Sequence, residues 1–278
     1  MSQLFRRAVR LTAENVDRNE TTTIEKLQVE FDIVRTLEEE PSTLRAVVFN
    51  LSEETRSKLE APDRIIVNLD AGYGDELHNL FLGALQVVRH TRDGADIATV
   101  LEAADGARAA KQWARKHFAA NTSVRTVFEF LIARMEIGEG NLNEGIDIEE
   151  TNGLPDEFRA GKHVRGYALK QMGRLCKSRG IDFSIQNGEA QFLTPHGTKP
   201  GSPITVAGSD TGLLGSPTID NDGVMSCKTL LLPHIFPGAQ IDVKSEFVDG
   251  SFKILRADYT GSVYGSDYAI DIEGKEIE

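Results

Sequence analysis

The feature that most constrains this chain is a change of hydrophobic period, from two to about 3.6 residues and back to two. From the N-terminus to about residue 104, apolar and polar residues alternate between turn signals. Phe5, Val9 and Leu11 mark a first strand. Val29, Phe31 and Ile33 share one face of a second. Leu44, Ala46 and Val48 share one face of a third, with Val47 and Phe49 opposite. Successive strand side chains point to opposite sides, so each such run has one face to bury. Ser52 is placed to cap a short helix that Pro62 stops. A strand over 65–69 ends in Asp70-Ala71-Gly72-Tyr73-Gly74. Strands over 80–91 and 95–103 are joined by Arg92-Asp93-Gly94, where glycine supplies a positive φ. Six or seven short strands at this spacing predict a closed barrel.

Residues 106 to about 194 read as helical. Ala110, Trp113, Ala114, His117 and Phe118 recur at helical spacing. Ser123 caps a second helix with the stripe Val127, Phe128, Leu131, Ile132 and Met135. After a polar, glycine-rich stretch over 138–161, a third helix carries Val164, Tyr167, Ala168, Leu175 and Cys176 on one side. Gly180 fits its C′ position. Asn187-Gly188 then joins strands over 182–186 and 189–193 as a hairpin. A linker rich in Gly, Pro, Ser and Thr covers 195–203. Beyond it strands are expected over 204–207, 216–219, 223–231, 239–248, 251–260 and 267–272, with Asp249-Gly250 as a tight turn. The expected fold class is α+β, mainly β. Two β-barrel-like domains, 1–105 and 204–278, flank an α-rich domain of helices plus a hairpin, 106–203.

Charge narrows the function classes. The net charge is −12, which argues against a chain that grips nucleic acid, because that grip comes from Lys and Arg neutralising phosphates. Glu38-Glu39-Glu40, the densest acidic patch, reads as a solvated turn. No apolar run reaches eighteen residues, so no membrane segment is expected. The charged first nineteen residues do not read as a secretory signal, and synthesis in a cytoplasm is expected. Cys176, on a helix stripe, and Cys227, in a strand, read as two buried free thiols.

Catalytic constellations are not found. There is no P-loop, no Gly-x-Ser-x-Gly and no His-Glu-x-x-His. His78, His90, His117, His163, His196 and His234 are scattered, so no metal or other cofactor is expected. Gly72-Tyr73-Gly74-Asp75 precedes a strand rather than a helix, and so reads as a loop, not a phosphate cradle. Asp147 with Glu149, Asp220 with Asp222, and Asp271 with Glu273 could each share a strand face. Paired acids hydrolyse glycosides only at a defined separation within a pocket. Asp220-Asn221-Asp222-Gly223 lacks the later ligands of a calcium loop and reads as a polar turn. One motif stands out: Gly212, Leu213, Leu214, Gly215, Ser216 and Pro217. Its glycines and proline impose sharp changes of direction, and its leucines supply apolar anchors. It is expected to be a structural corner and a candidate subunit contact.

Several segments in order resemble the hub proteins of tailed-phage baseplates, a group akin to the hub part of type VI secretion spike proteins. They are Phe31-Asp32-Ile33; Asn50-Leu51-Ser52 with Thr55-Arg56; Val67 and Ala71-Gly72-Tyr73; Leu80-Phe81 with Gly83; Gly212-Leu213-Leu214-Gly215-Ser216-Pro217; and Leu231 with Pro233 and Pro237-Gly238. The resemblance implies a homotrimer around the tail axis, with two similar barrels per chain making a ring of six. Such a ring lets a sixfold tail tube, or a distal tail protein, meet a threefold spike or tip protein, and DNA passes along its axis. It also implies a place in the virion, at the tail baseplate. The chain is short for the family, which suggests a plain hub without a hydrolase or needle extension. The expected function is therefore structural and non-enzymatic. The alternatives are a receptor- or carbohydrate-binding module, which needs clustered exposed aromatics, and a peptidoglycan hydrolase, which needs a convergent acid pair.

Overall fold

The computed structural model describes residues 6–38, 40–142, 156–201 and 203–277. Phe5, Glu39, Asp147 and Glu149 lie outside them. The first zone contains β1 (Arg7–Asn15), β2 (Glu20–Ile24), β3 (Val29–Thr36), β4 (Thr43–Phe49), α1 (Glu53–Leu59), β5 (Ile65–Tyr73), β6 (Glu76–Asp93) and β7 (Asp96–Ala104). The middle zone contains α2 (Ala107–Lys111), β8 (Trp113–Phe118), β9 (Thr122–Ser123), α3 (Val124–Met135), β10 (Glu157–Phe158), β11 (Lys162–Tyr167), α4 (Ala168–Ser178), β12 (Asp182–Gln186) and β13 (Glu189–Leu193). The last zone contains β14 (Ile204–Val206), β15 (Leu213–Ile219), β16 (Val224–Leu230), β17 (Gln240–Lys244), β18 (Asp249–Ser262) and β19 (Tyr268–Glu276).

The two strand-rich zones form one sheet. Its order is β15-β16-β19-β18-β3-β4-β7-β6-β5-β1-β2, with β17 also on β18 and β14 parallel to β17. The seam between the zones is β3–β18, with Phe31 opposite Gly261 and Ile33 opposite Tyr259. Inward residues of both zones pack into one apolar core, from Val9 and Phe31 to Phe252 and Ile270. Among the described residues no strand pairing closes this path into a hydrogen-bonded barrel. Side chains instead link β19 and the turn before it to β5 and β1, strands far from it in the sheet order. The Tyr268 hydroxyl at the start of β19 accepts the Gly72 N–H of β5 (2.9 Å) and lies 2.9 Å from the Ala8 carbonyl of β1. Burial raises the pKa of this phenol, which keeps it a neutral donor. Arg7 of β1 adds bonds to the carbonyls of Gly265 (2.5 Å) and Ser266 (2.9 Å).

The middle zone has its own core, in which the α3 stripe Val127, Phe128, Leu131, Ile132 and Met135 meets Met172, Cys176 and Phe192. Ser123 caps α3 by accepting the Thr126 N–H at 3.1 Å, and Gly180 follows the α4 C-cap at φ 65°. Two parts of the helical expectation are corrected. Residues 113–118 form a strand, paired with β11 from Trp113↔Tyr167 to Phe118↔Lys162, so Val164 and Tyr167 also lie on a strand and α4 begins at Ala168. Ala114 and Phe118 do face inward, but Trp113, Arg115 and His117 alternate outward, which is a strand's period. A third correction concerns Asp249-Gly250, which belongs to β18. The turn before it is Ser245–Val248, tied by Ser245 Oγ accepting the Val248 N–H at 3.0 Å.

Buried polar groups clamp the β12–β13 hairpin to the sheet. Arg35 of β3, 3% exposed, donates from Nε (3.1 Å) and Nη2 (2.7 Å) to Gln186 Oε1, and from Nη1 to the Leu80 carbonyl (2.9 Å). Lys253 Nζ meets Asp182 Oδ2 at 2.7 Å and the Thr194 carbonyl at 2.8 Å. The Asp105 carboxylate accepts the N–H groups of Asn187 (2.5 Å) and Gly188 (3.0 Å). Burial pushes that carboxyl above its ordinary value near 3.8, against the pull of the Gly188 N–H, Arg35 and the Asn187 and Gly106 N–H groups. A raised value means that the folded state holds the proton more tightly than the unfolded state. This contribution favours folding at low pH and is lost as pH rises through the folded value. The melting temperature of the wild type minus that of Asp105→Asn is therefore expected to increase as pH falls from 7 to 4. A difference that shrinks would contradict this assignment.

Candidate assembly site

The glycine–proline corner lies at one end of the large sheet. A 3-10 turn, Ser209–Thr211, delivers the chain to Gly212 at φ 89°, a left-handed conformation that glycine adopts without penalty. Thr211 Oγ1 ties the turn by accepting the N–H groups of Ala207 (2.7 Å) and Gly208 (3.0 Å). The Gly212 carbonyl accepts the Leu230 N–H at 2.7 Å, which anchors the corner to β16. A Cβ at Gly212 would sit 3.0 Å from Leu232 Cδ2. Leu213 enters the core, while Leu214 is half-buried.

The pairing of β15 with β16 is interrupted after the corner. Leu214 faces Lys228 and Thr218 faces Ser226, so Gly215, Ser216 and Pro217 together stand opposite Cys227. This is a bulge, and it bends the strand that carries it. Gly215, at φ 72°, and Ser216 are exposed, whereas Pro217 is buried. Among the described residues β15 pairs only with β16, and its other edge is free. A free edge is a template for another chain, and a bulge plus a proline limits how that template is used. Beside the corner runs a groove of about 1000 Å³ lined by Ile204, Leu232, Pro233, Phe236 and Ala239.

Of the other singled-out residues, Asp271 and Glu273 share a shallow cleft of about 350 Å³ with Leu214, Gly215 and Ser216 of the corner, and the rest do not join them. Asp220 Oδ1 accepts the N–H groups of Asp222 (2.9 Å) and Val224 (2.8 Å), as a turn carboxylate does. Asp271 and Glu273 lie exposed on β19. Asp271 bonds Lys228 at 3.0 Å, and Glu273 faces Arg256, which is itself paired with Asp258. Two histidine pairs come close, His78 with His234 (5.6 Å) and His117 with His163 (6.2 Å between centroids). Among the described residues no group of three or more His, Cys, Asp or Glu is arranged to hold a metal, and no helix is long and apolar enough to cross a membrane.

Both cysteines are buried, and no disulfide joins them. Burial pushes the Cys227 thiol up to about 12, which leaves little thiolate at neutral pH. Native protein at pH 8 is expected to react with no equivalents of Ellman's reagent and unfolded protein with two. Rapid native labelling would contradict the buried environment.

Sequence reading missed the outward face of the β8–β11 ribbon. Trp113, placed on an apolar stripe by its spacing, is 48% exposed and packs edge-on against Tyr167. The alternation of Trp113, Arg115 and His117 was the available signal, and the coincident i, i+4 spacing of Ala110, Ala114 and Phe118 obscured it.

No protein-family model matches this sequence, and no curated protein matches it significantly. Solved structures do match its fold. The 43 kDa tail protein of prophage MuSo2 from Shewanella oneidensis aligns with a TM-score of 0.66 at 10% identity, over 97% of this chain and 96% of that one. The tail protein from Neisseria meningitidis MC58 gives 0.65 at 10% identity, over 96% of each chain. A component of the type VI secretion system of E. coli, described as structurally similar to the T4 bacteriophage tail proteins gp27 and gp5, gives 0.59 at 12% identity. That alignment covers 91% of this chain and 74% of the other. At such identities the likeness is one of fold. The chain thus has the fold of phage tail proteins, shared with a type VI secretion component, as the resemblance in its sequence implied.

Proposed function

We propose that this chain is a structural, non-enzymatic hub in the baseplate of a phage or phage-like tail. Three copies surround the tail axis and adapt a sixfold tail tube to a threefold spike or tip protein, leaving an axial channel for DNA. The supporting observation is the extent of the fold likeness, which spans nearly the whole of two tail proteins, middle zone included. In this reading the division at about residues 105 and 203 separates two barrel-like units from a decorating domain. Six such units from three chains build the ring. The corner Gly212–Pro217 and the free edge of β15 lie between subunits, where a ring covers the unpaired backbone groups. Three chains carry a formal charge of three times −12, which disfavours phosphate binding along a DNA path.

The reading makes the corner's shape matter. Gly212→Val imposes a left-handed φ on a β-branched residue and crowds Leu232. A cost of about 2 kcal/mol in unfolding free energy is expected, together with weaker trimerisation. Unchanged stability and mass would remove the corner from the account. The hub itself is tested by mixing the purified chain with its tube protein. Tubes capped at one end, with three chains per sixfold ring, are expected; uncapped tubes would contradict it.

One observation favours the carbohydrate-binding alternative, the exposed Trp113–Tyr167 pair. Glycan binding lost in Trp113→Ala, without loss of tube capping, would establish it as an additional role. The hydrolase alternative has less support, because in the shallow cleft that Asp271 and Glu273 line, Asp271 is ion-paired with Lys228 and Glu273 lies opposite Arg256.

A further inference from the structure

Charge is unevenly divided along this chain. Residues 106–203 hold 14 Lys and Arg against 11 Asp and Glu, whereas the remainder holds 17 against 32. Part of the positive charge is concentrated on the outward face of the β8–β11 ribbon. Its cross-strand partners pair like with like: Trp113 with Tyr167, Arg115 with Arg165, and His117 with His163. All six are exposed, and the two aromatic rings stand 5.3 Å apart. Arg134 reaches the same end, its Nε donating to the Trp113 carbonyl at 2.7 Å. Like charges directly opposite one another destabilise an antiparallel pair. Neither Arg115 nor Arg165 has an ion pair among the described residues to offset that cost. Among the described residues the ribbon is therefore an uncovered surface, aromatic at one end and cationic beside it.

Its complement lies elsewhere on the same chain. The turn Ser245–Val248, between β17 and β18, projects Phe247 at 72% exposure, flanked by the exposed carboxylates of Glu246 and Asp249. Lys244 faces Asp249 at its base, so the tip keeps a net negative charge. Ser245 bonds Val248 through both backbone and side chain, which gives the tip a fixed shape before binding.

We propose that the ribbon is the docking surface for this turn of a second copy of the chain. Phe247 packs on the Trp113–Tyr167 pair, while Glu246 and Asp249 meet Arg115 and Arg165. The contact joins two different patches, and such a heterologous contact generates a closed ring when its rotation closes. It also deepens the hub reading, on which it rests, by turning these arginines toward a neighbour rather than the channel. A nucleic acid is a poorer occupant, because the acidic remainder of the chain repels polyanions.

Sedimentation of the full chain tests this contact. Arg115→Glu with Arg165→Glu, and separately Glu246→Lys with Asp249→Lys, are each expected to weaken self-association at least tenfold without changing the melting temperature. Combining all four substitutions is expected to restore it to within threefold of wild type. Association unmoved by either pair, or not restored by the combination, overturns the contact and leaves a trimeric wild type in place. A wild type that stays monomeric at every concentration also overturns it; the hub reading is then decided by the subunit count in assembled tails. Loss of single-stranded oligonucleotide binding or glycan binding in Arg115→Glu with Arg165→Glu, with association unchanged, assigns the ribbon to that ligand and overturns the proposal.

Discussion

Arg35→Ala is expected to lower the unfolding free energy by about 4 kcal/mol and to loosen the middle zone first. The guanidinium is buried, and burial pulls its pKa below the ordinary value, opposed by Tyr259 and Asp105. It ties its own strand β3 to three other parts of the chain: Leu80 of β6, Gln186 of the hairpin, and Phe236, over whose ring it lies at 4.8 Å. Truncation strands Gln186 Oε1 and the Leu80 carbonyl without their donor, each at roughly 1–3 kcal/mol, and opens a void beside the ring. Arg35→Lys keeps the charge but not the fork that serves both acceptors, and about half of the loss is expected. Urea unfolding gives the magnitude, and amide exchange in β12 and β13 gives the location. A loss below about 1 kcal/mol, or exchange spread evenly over the molecule, would mean that Arg35 is not the clamp.

The second large effect lies at the β3–β18 seam. A Cβ at Gly261 would fall 2.2 Å from Phe31 Cζ and 2.4 Å from Cε1. Phe31 is fully buried, packs against Tyr268 at 6.2 Å, and has nowhere to retreat. Gly261→Val is therefore expected to cost about 3 kcal/mol, at the upper end of overpacking, because it wedges apart the ladder that joins the two strand-rich zones. Adding Phe31→Leu removes the clashing ring carbons and is expected to recover at least about 1 kcal/mol of that loss, whereas two independent effects would add. Thermal unfolding of the four proteins in the cycle decides between these outcomes.

Features governed by neighbours in sequence were legible. Ser52 and Ser123 cap their helices, Gly180 follows α4 in the left-handed conformation, and Asn187-Gly188 turns the β12–β13 hairpin. Alternation also identified the buried faces of β3 and β4. Features set by distant partners were not. Alternation says which face of β3 is buried but not that β18 lies beside it, some 220 residues away. The Tyr268 bridge to Gly72 and Ala8 leaves no local trace. The ribbon was hidden because a short run such as residues 113–118 satisfies a helical and a strand period together. The corner was only half legible. Its glycines and proline announced changes of direction, and Gly212 and Gly215 do take positive φ. The bulge opposite Cys227 depends on the register with β16, which no local composition encodes.

In the proposed hub, three copies of this chain sit at the end of a tail. Electron cryo-microscopy of assembled tails tests it most directly. The account predicts three copies of a 30.6 kDa chain on a threefold axis, between a sixfold tube and a spike or tip, around a channel whose wall is not basic. A single copy in the tail, or three copies around a strongly basic wall, would contradict it.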